Sequence, residues 1–266
     1  MTQNFRQKKL LISGGANGLG KEIVIYFASL MKEVIFIDNK FKDGKLLEKN
    51  LTKKGYSVKF YYCDLSNLNN SSNVFHKIFK NHKKISFLIN NAKSPNKSNF
   101  EKENLKSWTK SINVGLSSMF LLIQKFIKQK KIKNEIKSII NITSLLVDLI
   151  DFNSPSYHVT KSGLAKLTEY YAVHAAKKYN FRINNISPGN LIQKRHLKRF
   201  NSKKNLNYKK QYLSTVPLKT YLTESDIVNT IEFLFSKNAK FYNGETFNLH
   251  GGSSLIANTM SLKNKK

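Results

Sequence analysis

A tyrosine and a lysine four residues apart, Tyr157 and Lys161, lie in the segment PSYHVTKSG at residues 155–163. Pro155 suits the first turn of a helix, and residues at i and i+4 share one helical face, so this spacing sets the phenol beside the ammonium. A phenol ionises at a pKa of about 10 and is a poor base at neutral pH unless a nearby cation favours the phenolate. Lys161 could supply that cation, which would make the pair a general acid–base couple. On any lysine-rich helix the same two residues could equally be an amphipathic tyrosine and a solvated lysine. The surrounding motifs must decide.

Short apolar segments alternate with helical periodicity along the chain. KLLISG precedes a helix from about Leu19, EVIFID precedes another helix, and VKFYYCD precedes a helix from about Asn67. ISFLINN, IKSIINITS and FRINNISPG continue the series. Strands alternating with helices imply βαβ units, hence a parallel sheet covered on both faces. The expected fold is α/β: a Rossmann-type doubly wound sheet whose ligand site lies at the carboxyl ends of the strands. No linker interrupts the pattern, so residues 1–266 read as one domain, with a substrate loop over about 190–216 and a basic tail over about 253–266.

The unusual motifs fall at those strand ends. SGGANGLG, residues 13–20, closes the first strand and opens a helix. Glycines there let the backbone approach a pyrophosphate held at the helix N-terminus. Asp38 ends the second strand, where a carboxylate accepts hydrogen bonds from an adenosine ribose and repels a 2′-phosphate. NAD is therefore expected over NADP, with Lys40 and Lys42 acting against that preference. The competing reading of Asp38 is a helix cap.

Charge is the other conspicuous feature: 46 Lys and Arg against 16 Asp and Glu give a formal net charge of +30. Such a balance raises nucleic acid or an anionic membrane as partners. Yet lysine is spread over the whole chain among many Asn, Ile, Phe and Tyr, as a coding bias would leave it. Neither zinc-ligand spacing nor an aromatic-rich RNA motif accompanies the charge, so nucleic acid ranks last among partners and no metal is expected. Only KRHLKRFNSKKNLNYKK, residues 194–210, concentrates it, which suggests an anionic substrate or carrier near the mouth of the site. Cys63 has no second cysteine to pair with, and the apolar run before Gly14 is too short for a signal peptide or a membrane span. These features lead to the expectation of a cytoplasmic protein.

Taken together, the motifs resemble those of the short-chain dehydrogenases/reductases over nearly the whole chain. Gly14, Gly18 and Gly20 match the family's TGxxxGxG, with Ser13 in the threonine place. Asp64 matches its adenine-contacting acid, Asn90-Asn91-Ala92 the start of NNAG, YHVTK its YxxxK, and Pro188-Gly189 its PG motif. Ser144 lies thirteen residues before Tyr157. The resemblance implies an oxidoreductase that passes hydride between a nicotinamide and a secondary alcohol or ketone, with a sugar derivative and an acyl thioester as the candidate substrates. It implies that Tyr157 exchanges a proton with the substrate oxygen, that Ser144 hydrogen-bonds the same oxygen, and that Lys161 lowers the phenol pKa and binds the nicotinamide ribose. Chemistry alone leaves Thr143 as good a hydroxyl as Ser144. Cofactor contacts are implied at Ser13, Gly14, Asn17, Gly18, Leu19, Gly20, Asp38, Asp64, Leu65, Asn91, Ala92, Tyr157, Lys161, Pro188, Gly189 and Leu191.

Three residues depart from the family pattern. Lys93 stands in the glycine place of NNAG, Gly115 in the place of the catalytic asparagine, and Gln193 in the threonine place of PGxIxT. Glycine at 115 could keep a helix distortion and its carbonyl, while Asn113 would face another side of the helix. These departures favour an alternative reading, a dinucleotide-binding regulator without turnover; the retained Tyr157 and Lys161 oppose it. The helical segments LSSMFLLIQKFIKQ and SGLAKLTEYYAVHAAKKY match those through which relatives pair, so a homodimer or homotetramer is expected.

Overall fold

The computed structural model describes residues 5–94, 99–129 and 137–256. Residues 257–266 of the expected basic tail lie outside the described residues. Seven strands form one parallel sheet: β1 (Lys9–Ser13), β2 (Glu33–Asp38), β3 (Val58–Tyr62), β4 (Phe87–Asn90), β5 (Lys137–Ile142), β6 (Phe181–Pro188) and β7 (Thr246–Leu249). Their order is β3-β2-β1-β4-β5-β6-β7, with every neighbouring pair parallel. The Rossmann-type expectation holds. The order reverses between β1 and β4, and the crevice beyond their carboxyl ends is where such sheets take ligands.

Alternation along each strand splits the core in two. Leu10 and Ile12 of β1 and Phe36 of β2 pack with α1 (Gly18–Ala28), α2 (Phe41–Lys53) and α10 (Glu224–Phe235) on one face. Leu11 and Ile35 pack with α3 (Leu68–Asn81), α5 (Ser118–Ile127) and α6 (Pro155–His174) on the other. α4 (Leu105–Ile112), α7 (Ala176–Tyr179), α8 (Lys194–Phe200) and α9 (Leu206–Ser214) complete the helices used below. No described helix is long and apolar enough to cross a membrane.

Polar side chains also cross the core. Asn90 donates to Asn141 (2.7 Å), Asn141 to Thr168 (2.7 Å), Thr168 to Asn185 (2.7 Å) and Asn185 to Thr246 (3.0 Å). This chain of bonds joins β4, β5, α6, β6 and β7 just below the strand ends. Buried polar groups are tolerable when partnered, and a linked set restricts how the elements can sit.

Candidate active site

The loop after β1 shows why its residues must be glycine. Gly14 has φ +68° and Gly18 φ +51°, a region that L side chains rarely adopt. A Cβ on Gly20 would lie 1.9 Å from the Gly14 carbonyl oxygen, and one on Gly14 2.9 Å from Ala92 Cα. The loop is tied to the end of β4: Ser13 Oγ accepts from the N–H groups of Asn91 (3.1 Å) and Ala92 (3.2 Å), and Asn91 Nδ2 donates to the Gly14 carbonyl (2.9 Å). Asn17 caps α1, its Oδ1 accepting from Gly18 N at 2.7 Å. The result is a close-packed backbone cradle at a helix N-terminus with no acidic residue in its first turn, which suits a dinucleotide diphosphate.

The acidic residues beside the cradle are held by backbone. Asp38 accepts from Ala16 N (3.0 Å) through one oxygen and from Lys40 N (2.9 Å) through the other. Residue 40, not 38, occupies the N-cap of α2, so Asp38 is not that helix's cap. Asp64 accepts from Ser66 N (3.0 Å) and Ser66 Oγ (2.8 Å), and Leu65 beside it is buried. On the far side, Gly189 N donates to Leu249 O (2.9 Å), Pro188 ends β6, and Leu191 bridges to Leu222.

Ser144, Tyr157 and Lys161 converge from two elements. Ser154 caps α6, its hydroxyl accepting from Tyr157 N, with Pro155 in the first turn. The start of the helix is pinned by Glu103, whose carboxylate accepts from Ser156 N (2.9 Å) and from the Ser156 hydroxyl. Ser144 follows β5, its Oγ accepting from Leu146 N at 3.3 Å, and its side chain is near enough to the Tyr157 phenol to lower that group's pKa. Thr143 is turned away: its hydroxyl donates to Ile186 O on β6 at 3.1 Å, and the residue is buried. Of the two hydroxyls, that of Thr143 is therefore engaged across the strand pair.

Lys161 is 4% exposed, donates to Ile142 O at 2.6 Å, and lies with its Nζ 5.8 Å from the centre of the Tyr157 ring. Burial, reinforced by the charge of Lys93, pulls its pKa down from 10.5 to about 7. Lys93, exposed overall, still brings its Nζ to 5.9 Å from the same ring. The phenol pKa is raised, chiefly by burial and further by Asp151, against a lowering hydrogen bond from Ser144. This differs from the expectation that Lys161 lowers the phenol pKa. In this structure burial dominates the phenol and weakens the Lys161 cation as well.

The other departures also have a place. Residues Asn113–Ser117 form a π-helical turn between α4 and α5, so the distortion expected at Gly115 is present. A Cβ on Gly115 would meet the Thr160 side chain at 3.1 Å. Asn113 does face elsewhere, donating to Ser66 O at 3.0 Å. A small cavity touches Lys93, Ser111, Gly115, Tyr157, Thr160 and Lys161. Gln193 packs against the glycine loop, its Nε2 lying 3.4 Å from where a Gly18 Cβ would stand. Arg195, expected at the substrate mouth, has Nη1 3.2 Å from Asn17 Oδ1 in that same loop. No local pattern could have revealed this contact, because the two residues are 178 positions apart.

The chain is similar to known proteins over nearly its whole length. A family model described as enoyl-(acyl carrier protein) reductase matches residues 14–254. The chain is 30% identical to a 3-oxoacyl-(acyl-carrier-protein) reductase FabG of Buchnera aphidicola subsp. Schizaphis graminum, covering 93% of this chain and 98% of that one. It is 26% identical to a 7alpha-hydroxysteroid dehydrogenase of Bacteroides fragilis, covering 97% and 98%. Its fold is similar to that of a gluconate 5-dehydrogenase from Burkholderia cenocepacia in complex with NADP and tartrate, with TM-score 0.79, 19% identity and coverage of 96% and 98%. With the glycine cradle, the tied NNA segment and the Ser-Tyr-Lys convergence in place, the chain belongs to the short-chain dehydrogenase/reductase family of NAD(P)-dependent oxidoreductases.

Proposed function

We propose that the chain reduces a 3-oxoacyl thioester, or oxidises the corresponding alcohol, at the Ser144–Tyr157–Lys161 site. The observation that carries this reading is the convergence of Ser144 and Lys161 on Tyr157, with Lys161 Nζ 5.8 Å from the centre of the ring. The cradle of Gly14, Gly18 and Gly20 fits a dinucleotide, since glycine there allows the tight, positive-φ loop that sets bare backbone at the helix N-terminus. When bound, the nicotinamide dinucleotide supplies or accepts the hydride. Tyr157 Oη gives its proton to the substrate oxygen in reduction and takes it back in oxidation, while Ser144 Oγ donates to that oxygen and orients it. Lys161 would hold the nicotinamide ribose by donating to its hydroxyl oxygens.

Finer readings follow from particular residues. The Asp38 carboxylate, fixed beside the glycine loop by two backbone N–H groups, favours NAD(H) over NADP(H). The acyl-thioester class is supported by the FabG relative and by the cations of residues 194–210, which suit an anionic carrier or substrate. Residues 1–266 act as one domain, with 190–216 as substrate loop. α5 and α6 present Phe120, Tyr170 and Val173 to solvent, as expected of a homo-oligomer interface.

The experiment is reduction of acetoacetyl-coenzyme A followed at the NADH or NADPH absorbance, with Tyr157→Phe as comparison. Turnover should fall by about 10² to 10⁴, while thermal stabilisation by NADH persists. Unchanged turnover in Tyr157→Phe would refute the assignment.

A further inference from the structure

The basic segment that begins α8 contacts the dinucleotide cradle instead of pointing only toward a substrate. Its start is fixed from three sides. Lys194 N donates to both carboxylate oxygens of Glu224 at 3.0 Å, Glu224 being 7% exposed at the start of α10. Ile192 N donates to Leu222 O at 3.0 Å, and Leu191 bridges to Leu222. With its backbone held there, residue 195 projects its guanidinium onto Asn17, the N-cap of α1.

Asn17 Oδ1 already accepts from Gly18 N at 2.7 Å, so the guanidinium shares an acceptor that is in use. Through this contact the guanidinium is held at Asn17, the N-cap of α1, where the helix start itself attracts an anion. Gln193 approaches the same spot, and its Oε1 is enclosed without a hydrogen-bond partner among the described residues. An amide in that condition is not in its best arrangement, because a buried acceptor without a donor costs free energy. A diphosphate brings only acceptor oxygens, so it leaves Gln193 Oε1 as it is, but it could take the donors of Arg195 over the glycine loop.

We propose that Arg195 is a clamp for the diphosphate of the bound dinucleotide, exchanging Asn17 Oδ1 for phosphate oxygens and so closing α8 over the glycine loop. The planar guanidinium can give two parallel N–H bonds to a phosphate, which lysine cannot. Of the cations in residues 194–210, this one then serves the cofactor. The inference rests on the reading of residues 13–20 as the dinucleotide cradle.

The test is calorimetric titration of NADH and of ADP-ribose into the unaltered protein, Arg195→Gln, Arg195→Lys and Lys204→Gln. Lys204 is exposed in a short turn between α8 and α9 and controls for net charge. Arg195→Gln should weaken both ligands by about tenfold, the scale of one charge-assisted hydrogen bond. Arg195→Lys should recover part of the loss, and Lys204→Gln should change affinity by less than about twofold, as a screened surface charge does. Equal affinity in Arg195→Gln, or an equal loss in Lys204→Gln, overturns the clamp. Failure of the unaltered protein to bind NADH, NADPH or ADP-ribose would instead remove the cradle reading itself, and the clamp with it.

Discussion

Replacing Lys161 by methionine should make the protein more stable near neutral pH and leave it slightly less stable near pH 10. In the folded chain the ammonium is enclosed, holds the Ile142 carbonyl at 2.6 Å, and loses its proton at about pH 7 instead of 10.5. The unfolded chain keeps that proton up to about pH 10.5. Between these values the unfolded state binds more protons, so stability rises with pH by about 1.4 kcal/mol per unit. Across the window the accumulated effect is about 5 kcal/mol. Below pH 7 the folded protein bears the whole cost of a buried charge; above 10.5 it bears none. Methionine binds no proton in either state and removes this dependence, while forfeiting a hydrogen bond worth about 1 kcal/mol. Urea unfolding at about pH 6.5, 8 and 10, read by far-UV circular dichroism, should therefore show a gain of several kcal/mol for Lys161→Met at the lowest pH. That gain should decline and change sign toward pH 10. A difference between the two proteins that stays constant over this range would refute the argument, since it would mean that Lys161 titrates alike in both states.

The remaining expectations concern its neighbours. Lys93→Gly removes the second cation near the Tyr157 ring, so Lys161 should keep its proton to higher pH; the same urea series should show the rise in stability starting later, and an unmoved onset would contradict the Coulombic link. Asp38→Ala removes the carboxylate beside the glycine loop and should narrow the affinity ratio of NADH to NADPH, read by titration calorimetry; an unchanged or widened ratio would deny that Asp38 selects the cofactor.

The glycine positions and the Tyr157–Lys161 spacing were legible because each is a local requirement. A positive φ at Gly14 and Gly18 and a shared helical face at i and i+4 are satisfied or not within a few residues. Alternation of apolar strands with amphipathic helices likewise fixed the parallel α/β class, although the strand order depended on how seven segments paired. A helix distortion at Gly115 was anticipated from a pattern match, and a π-helical turn lies there. Asp38 lies outside the N-cap of α2, yet its two backbone donors, one of them 22 residues away, could not be read from the chain.

Folding alone decided three matters at the site. Thr143 lost its claim to Ser144 because its hydroxyl meets Ile186 on a neighbouring strand. Arg195 was brought from a seemingly solvated run onto Asn17 by the anchoring of α8 on Glu224. Lys161 moved from a presumed charge donor to an enclosed amine near half-protonation at pH 7, which depends on the packing around it and on Lys93. Spacing sets which neighbours share an element, whereas burial and contacts between distant segments set the dielectric and the partners of each charge. Those are properties of the packed assembly of β5, α6 and the loop after β4, and no window of the sequence contains them.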